Sequence, residues 1–72
     1  MSSTAIYRVT GMTCDHCVRA VTEELRSLNG VTQVSVDLHP GGASYVTVDA
    51  ERQIADAEVA EALDEAGAYA LV

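Results

Sequence analysis

Apolar residues in this chain recur with a period of two, then about 3.6, then two, then 3.6, then two, and that alternation restricts the fold more than any other feature. From Ala5 to Thr10, Tyr7 and Val9 fall on one side and Arg8 and Thr10 on the other, which predicts a strand. Gly11 ends it. From Cys17 onward Val18, Val21, Leu25 and Leu28 recur at helical spacing, with Arg19, Glu23, Glu24 and Arg26 on the other faces. Thr13 or Asp15 is positioned to cap that helix, and Asn29-Gly30 is its stop signal.

Val31 to His39 returns to alternation, with Val34, Val36 and Leu38 facing one way. Pro40-Gly41-Gly42 cannot continue a strand and predicts a hairpin turn into a return strand, Ala43 to Ala50. Asp56 is the expected cap of a second helix, whose apolar stripe is Ala55, Val59, Ala62, Leu63 and Ala66 and whose stop is Gly67. Ala68 to Val72 predicts a last short strand.

The expected order is therefore β-α-β-β-α-β, an α+β chain. Two helices cover one face of a four-stranded antiparallel sheet in the ferredoxin-like arrangement. If the first strand runs up, three connections share the upper end: the loop at residues 11–17, the hairpin at His39-Pro40-Gly41-Gly42, and the turn at Gly67. That end is the expected working face. With 72 residues, the expectation is a single domain spanning 1–72, too small for a deep substrate pocket.

Charge narrows the partners. The net charge is −7, from 11 acidic residues against four arginines and no lysine. Nucleic acid and anionic membrane are poor partners for such a surface, and a basic protein surface is a good one. Residues 49–65 concentrate seven of the acids, Asp49, Glu51, Asp56, Glu58, Glu61, Asp64 and Glu65, against Arg52 alone. The segment reads as a solvated face or as a face that docks a basic patch. No apolar run approaches the ~18 residues needed to cross a bilayer, and Met1-Ser2-Ser3-Thr4 has neither a basic region nor an apolar core. The expected location is the cytoplasm, where two cysteines stay reduced.

Those two cysteines lie in Gly11-Met12-Thr13-Cys14-Asp15-His16-Cys17, between the first strand and the first helix. A thiol near a helix start faces unpaired N–H groups and the positive end of the helix dipole, so its thiolate is favoured. Three kinds of chemistry fit the pair. A thiol–disulfide cycle is possible in principle, but a thioredoxin-like site uses a longer fold, and the sole proline, Pro40, sits in the hairpin. A closed zinc site needs four ligands, and here His16 would point away from the cysteines while His39 faces outward. Copper(I) needs less: it is soft, accepts two thiolates, and leaves room for an incoming thiolate. Two ordinary core cysteines are the plainest alternative, but the Thr, Asp and His beside them do not look like core.

The stretch Gly-Met-Thr-Cys-Asp-His-Cys resembles the G-M-T/S-C-x-x-C signature of the heavy-metal-associated domain family. The similarity runs over nearly the whole chain, through Asn29-Gly30-Val31 and Glu65-Ala66-Gly67. The resemblance implies Cu(I) bound by Cys14 and Cys17, no enzymatic activity, and delivery to the metal-binding domain of a copper-transporting P-type ATPase. A copper-responsive regulator is a second partner, and the chain is expected as a monomer when metal-free, with a copper-bridged dimer as the loaded alternative. It further implies that Thr13 marks a copper member, that Met12 packs beneath the loop, and that His16 tunes thiol acidity. Bacterial family members place the tyrosine of a Gly-Tyr pair near copper; here Gly67-Ala68-Tyr69 carries one residue more, which leaves the direction of Tyr69 open. A buffer or sensor without ATPase delivery, and a small redox protein, are the alternatives.

Overall fold

The computed structural model describes residues 2–72. Its elements are β1 (Ser3–Thr10), α1 (Asp15–Arg26), β2 (Val31–Asp37), β3 (Ser44–Ala50), α2 (Asp56–Ala66) and β4 (Ala70–Leu71). The four strands form one antiparallel sheet in the order β2-β3-β1-β4, so the βαββαβ, ferredoxin-like expectation holds.

Alternation decides which sheet face is covered. Ser44, Val46, Val48 and Ala50 of β3 are buried, as are Tyr7 and Val9 of β1. They meet Val21 and Leu25 of α1 and Val59, Ala62 and Leu63 of α2 in one core. Each fully buried Val or Leu contributes about 1.5–3 kcal/mol of transfer free energy. The other sheet face carries Arg8, Ser35, Asp37 and Tyr45, all exposed.

The boundaries moved where local hydrogen bonding outweighed pattern. α1 starts at Asp15, and its N-cap is Cys14 rather than Thr13 or Asp15. Cys14 is extended (φ −156°, ψ 177°), and its carbonyl accepts the N–H groups of Cys17 and Val18 at 3.1 and 3.2 Å. No side chain caps this helix. α2 is likewise capped at Ala55, not Asp56, and Ala55 is exposed rather than part of the stripe. Glu58 accounts for this start: its carboxylate accepts the Ala55 N–H at 3.1 Å. The same carboxylate takes two hydrogen bonds from Arg52, both at 3.0 Å, and Arg52 Nε donates to the Asn29 carbonyl at 2.8 Å. One arginine thus ties the end of α1 to the start of α2.

β2 stops at Asp37 because Leu38 and His39 lead into the hairpin. The Gly42 N–H bonds the His39 carbonyl at 3.1 Å, and Gly41 has φ +82°, the backbone a turn with Pro at its second position asks of its third. β4 is only two residues long, shorter than the expected 68–72. Gly67 ends α2, but with φ 160° it is extended, not left-handed as a helix-stop glycine would be.

The three upper connections do share one end. Val9 is paired with Ser44 of β3 and with Leu71 of β4, so the loop after β1, the β2–β3 hairpin and the turn after α2 lie together. Gly11 (φ +96°) turns the chain out of β1 so closely beside the α2–β4 turn that a Cβ there would sit 3.0 Å from the Ala68 carbonyl oxygen.

Candidate metal centre

The loop between β1 and α1 is anchored from below. Met12 is fully buried in the core beneath it, as the family resemblance implies, so its thioether does not share the surface with the thiols. Thr13, Cys14, Asp15 and His16 are exposed. Both cysteines are free, Cys14 exposed and Cys17 half-buried, with their sulfurs 3.9 Å apart.

Cys17 is the third residue of α1, inside its first turn. Its thiol is lowered from 9.0 to about 6. The largest cause is hydrogen bonding from the Thr13 backbone, followed by the Tyr69 hydroxyl, the Cys14 backbone and the Thr13 side chain, with desolvation opposing. The Thr13 hydroxyl lies 3.8 Å from the sulfur. The expectation of a favoured thiolate holds, but donors on the loop itself are the chief cause. A thiolate held in this way is a ready ligand for a soft metal and a ready nucleophile.

Tyr69 is the residue whose direction the sequence left open. Its ring lies near Gly11 on one edge and Gly67 on the other. Its interaction with Cys17, followed by desolvation and the negative charge of both cysteines, raises the pKa of the phenol. The tyrosine therefore stays protonated and remains a donor. The extra residue Ala68 does not turn it away, because Gly67 has no side chain to obstruct the ring.

The two histidines stay apart from the pair. His39 is on the hairpin, with Nε2 3.0 Å from Asp37 Oδ2 and its ring edge-on to Tyr45 at 5.6 Å between centroids. His16 is exposed on α1. Among the described residues no group of three or more His, Cys, Asp or Glu is arranged to hold a metal. A closed four-ligand zinc site is thus not assembled there, and two sulfurs at an open surface are what the fold offers.

The acidic segment divides once its contacts are known. Glu58 is engaged with Arg52 and the α2 start, which holds its carboxyl below the ordinary range, chiefly through the arginine hydrogen bond. Glu61, Asp64 and Glu65 are exposed on α2. Glu51 and Asp56 are exposed as well, so any docking role belongs to these exposed acids and not to Glu58.

The heavy-metal-associated domain model matches residues 6–68. Among curated proteins, the chain is 40% identical over 63 residues to a copper chaperone CopZ of Staphylococcus haemolyticus, covering 86% of this chain and 88% of that one. It is 33% identical over 64 residues to a probable cadmium-transporting ATPase of Listeria monocytogenes, covering 89% of this chain but 9% of the ATPase. Among solved structures, a CopZ metallochaperone superimposes with a TM-score of 0.81 at 32% identity, covering 97% of this chain and 100% of that one.

Proposed function

This chain belongs to the heavy-metal-associated domain family, and we propose from that premise that it is a cytoplasmic Cu(I) carrier. Its cargo is held by Cys14 and Cys17 and passed by ligand exchange to the metal-binding domain of a copper-transporting P-type ATPase. The observation that carries the reading is the pair of free sulfurs 3.9 Å apart on an exposed loop, one of them biased to thiolate. Metal–thiolate bonds are about 2.3 Å long for zinc. One ion of similar size therefore reaches both sulfurs at once, and a slight spreading of the loop makes the arrangement linear. A soft, low-coordinate ion suits two thiolates with no further ligand.

The same openness supports transfer. Cys14, the more exposed sulfur, is the natural first point of exchange, and Cys17, inside the helix, is the anchor. An acceptor thiolate adds to the under-coordinated ion to give a three-coordinate intermediate. The Cys14 bond then gives way, a second acceptor thiolate takes its place, and the Cys17 bond breaks last. Electron pairs stay with their sulfurs, and copper remains Cu(I) throughout.

Likeness to proteins named copper chaperones supports the cargo, and the match to a domain-sized part of a metal-transporting ATPase supports an acceptor built on the same fold. Exposed Glu61, Asp64 and Glu65 suit a basic docking surface, where attraction chiefly raises the association rate. No described helix is long and apolar enough to cross a membrane.

The test is anaerobic titration of the reduced protein with Cu(I) against a competing chelator. Tight binding of one ion per chain, lost in Cys14→Ser and in Cys17→Ser, is the expected result. Tight binding retained in the double variant would refute the ligand assignment. Absent Cu(I) binding by the unaltered chain would return the redox reading to the front.

A further inference from the structure

β1 is paired along nearly its whole length on one side and over only two residues on the other. β3 lies opposite Ser3 to Val9, but β4 lies opposite Val9 and Thr10 alone. The last bond on the β4 side runs from the Val72 N–H to the Arg8 carbonyl at 2.9 Å. Backbone groups alternate sides along a strand, so those of Thr4 and Ile6 face the same way as the Arg8 carbonyl, and no strand lies opposite them. Strand edges are ordinarily blunted by charge, proline or a bulge. The β2 edge has a bulge between Val31 and Gln33 and carries exposed Asp37. Ser3-Thr4-Ala5-Ile6-Tyr7 has none of these. A slot of about 520 Å³ runs beside it, bounded by Asp56 at the start of α2 and by Leu71 and Val72. Ile6 and Val72 border that slot and are 66% and 62% exposed, more than any other large apolar side chain among the described residues.

We infer that this edge docks a second copy of the chain: two β1 strands pair antiparallel about a twofold axis at Ala5, and their sheets become one. The edge can satisfy itself. Thr4 of each copy faces Ile6 of the other, and each such pair exchanges both of its backbone hydrogen bonds. Val72 fixes the register. With Ile6 opposite Ile6, Thr4 of the second copy would fall opposite Arg8, where Val72 already stands. In the Ala5-centred register the two Ile6 side chains are diagonal neighbours on the open sheet face, within reach of each other. Charge favours the same site. A chain of net charge −7 repels its copy, yet the charged side chains lining this slot are Arg8 and Asp56, one of each sign, so the acid excess is absent there. Five residues a side bury far less than the ~1,200 Å² of stable interfaces, so the dimer is weak, with a dissociation constant on the order of 0.1–1 mM. Cys14 and Cys17 lie beyond the other end of β1 and stay open. The dimer is therefore independent of metal, unlike the copper-bridged one that the family resemblance implies, and it goes beyond the carrier reading without resting on it.

The experiment is sedimentation equilibrium of the metal-free, reduced chain at concentrations up to about 1 mM, in low and in high salt. A monomer–dimer equilibrium that strengthens with salt is expected, because screening relieves the repulsion between acidic copies. Association that weakens with salt, or none at about 1 mM, would overturn the inference. Cys14→Ser/Cys17→Ser should dimerise unchanged, and loss of the dimer there would assign it to the thiols instead. Ile6→Lys should weaken the dimer at least about tenfold while leaving the chain folded, since the side chain is already exposed. It also lowers the net negative charge, so repulsion between chains cannot account for a weaker dimer. An undiminished dimer in Ile6→Lys would place the interface elsewhere and overturn the proposal. The register has its own check, in the chain lacking both native cysteines. Ala5→Cys there sets two thiols at the twofold axis with Cα atoms about 4.5 Å apart, inside disulfide range. Mild oxidation should cross-link it faster than Ser35→Cys on β2, and equal rates would refute the pairing. No outcome involves copper, so the carrier reading is tested separately.

Discussion

The acidity of Cys17 offers the sharpest quantitative check, because its causes have a definite order. A thiol lowered to about 6 is about nine-tenths thiolate at pH 7, whereas one at 9.0 is about one part in a hundred. The perturbation begins with Cys14→Ser, so that Cys17 is the only thiol left to titrate. Thiolate ultraviolet absorbance of the metal-free, reduced protein should then rise with a midpoint near pH 6. The Thr13 backbone is the largest contributor, the Tyr69 hydroxyl second, and the Thr13 hydroxyl last. Tyr69→Phe should therefore raise the midpoint more than Thr13→Ala does, because Thr13→Ala keeps its backbone donor. A folded-state value below the ordinary one favours the native state fully above pH 9, and that contribution fades as pH falls through about 6. Metal binding has the same sign: below about pH 6 protons compete for Cys17, costing about tenfold in affinity per pH unit from this group. A midpoint near 9, or a Thr13→Ala shift equal to that of Tyr69→Phe, would refute the reasoning.

Other expectations follow from burial and charge. Met12→Leu should bind as much Cu(I) as the unaltered chain, since Met12 is fully buried; a lost equivalent would show that its sulfur is a ligand after all. Leu25→Ala, at a site with no exposure, should cost about 2–5 kcal/mol in chemical denaturation, a large share of the stability of so small a domain. Glu58→Gln should lower the melting temperature, and the effect should vanish only at acid pH: its carboxyl is held below 4.5, so its contribution is present above that value and lost beneath it. Glu61→Gln/Glu65→Gln should leave melting nearly unchanged and slow association with a basic acceptor domain at low salt, with the difference fading in high salt. Equal rates at low salt would remove this face from docking.

The order of elements was legible in the sequence because a half-buried strand and an amphipathic helix impose different spacings on the same apolar residues. Tyr7 with Val9, Val46 with Val48, and Val21 with Leu25 are enough to assign β1, β3 and α1, and all six are buried as their spacing requires. The grouping of three connections at one end also follows from order alone, since each antiparallel neighbour reverses the chain. Cys14 and Cys17 were candidates from residue chemistry and spacing.

Tertiary structure decided what spacing cannot encode. Glu58 looked like one more surface acid until the turn between β3 and α2 brought Arg52 against it and made it a structural carboxylate. Cys14, not a hydroxyl or carboxylate residue, caps α1, because its extended backbone already aims its own carbonyl at the helix. Tyr69 lies 52 positions after Cys17, and no local rule says where its ring will point. Its ring comes beside the metal loop because β4 pairs beside β1, and Gly67 and Gly11 leave room for it between them. The sequence by itself determined which groups can hold a soft ion. The packing of distant chain segments added Tyr69 to the local donors that lower the Cys17 thiol.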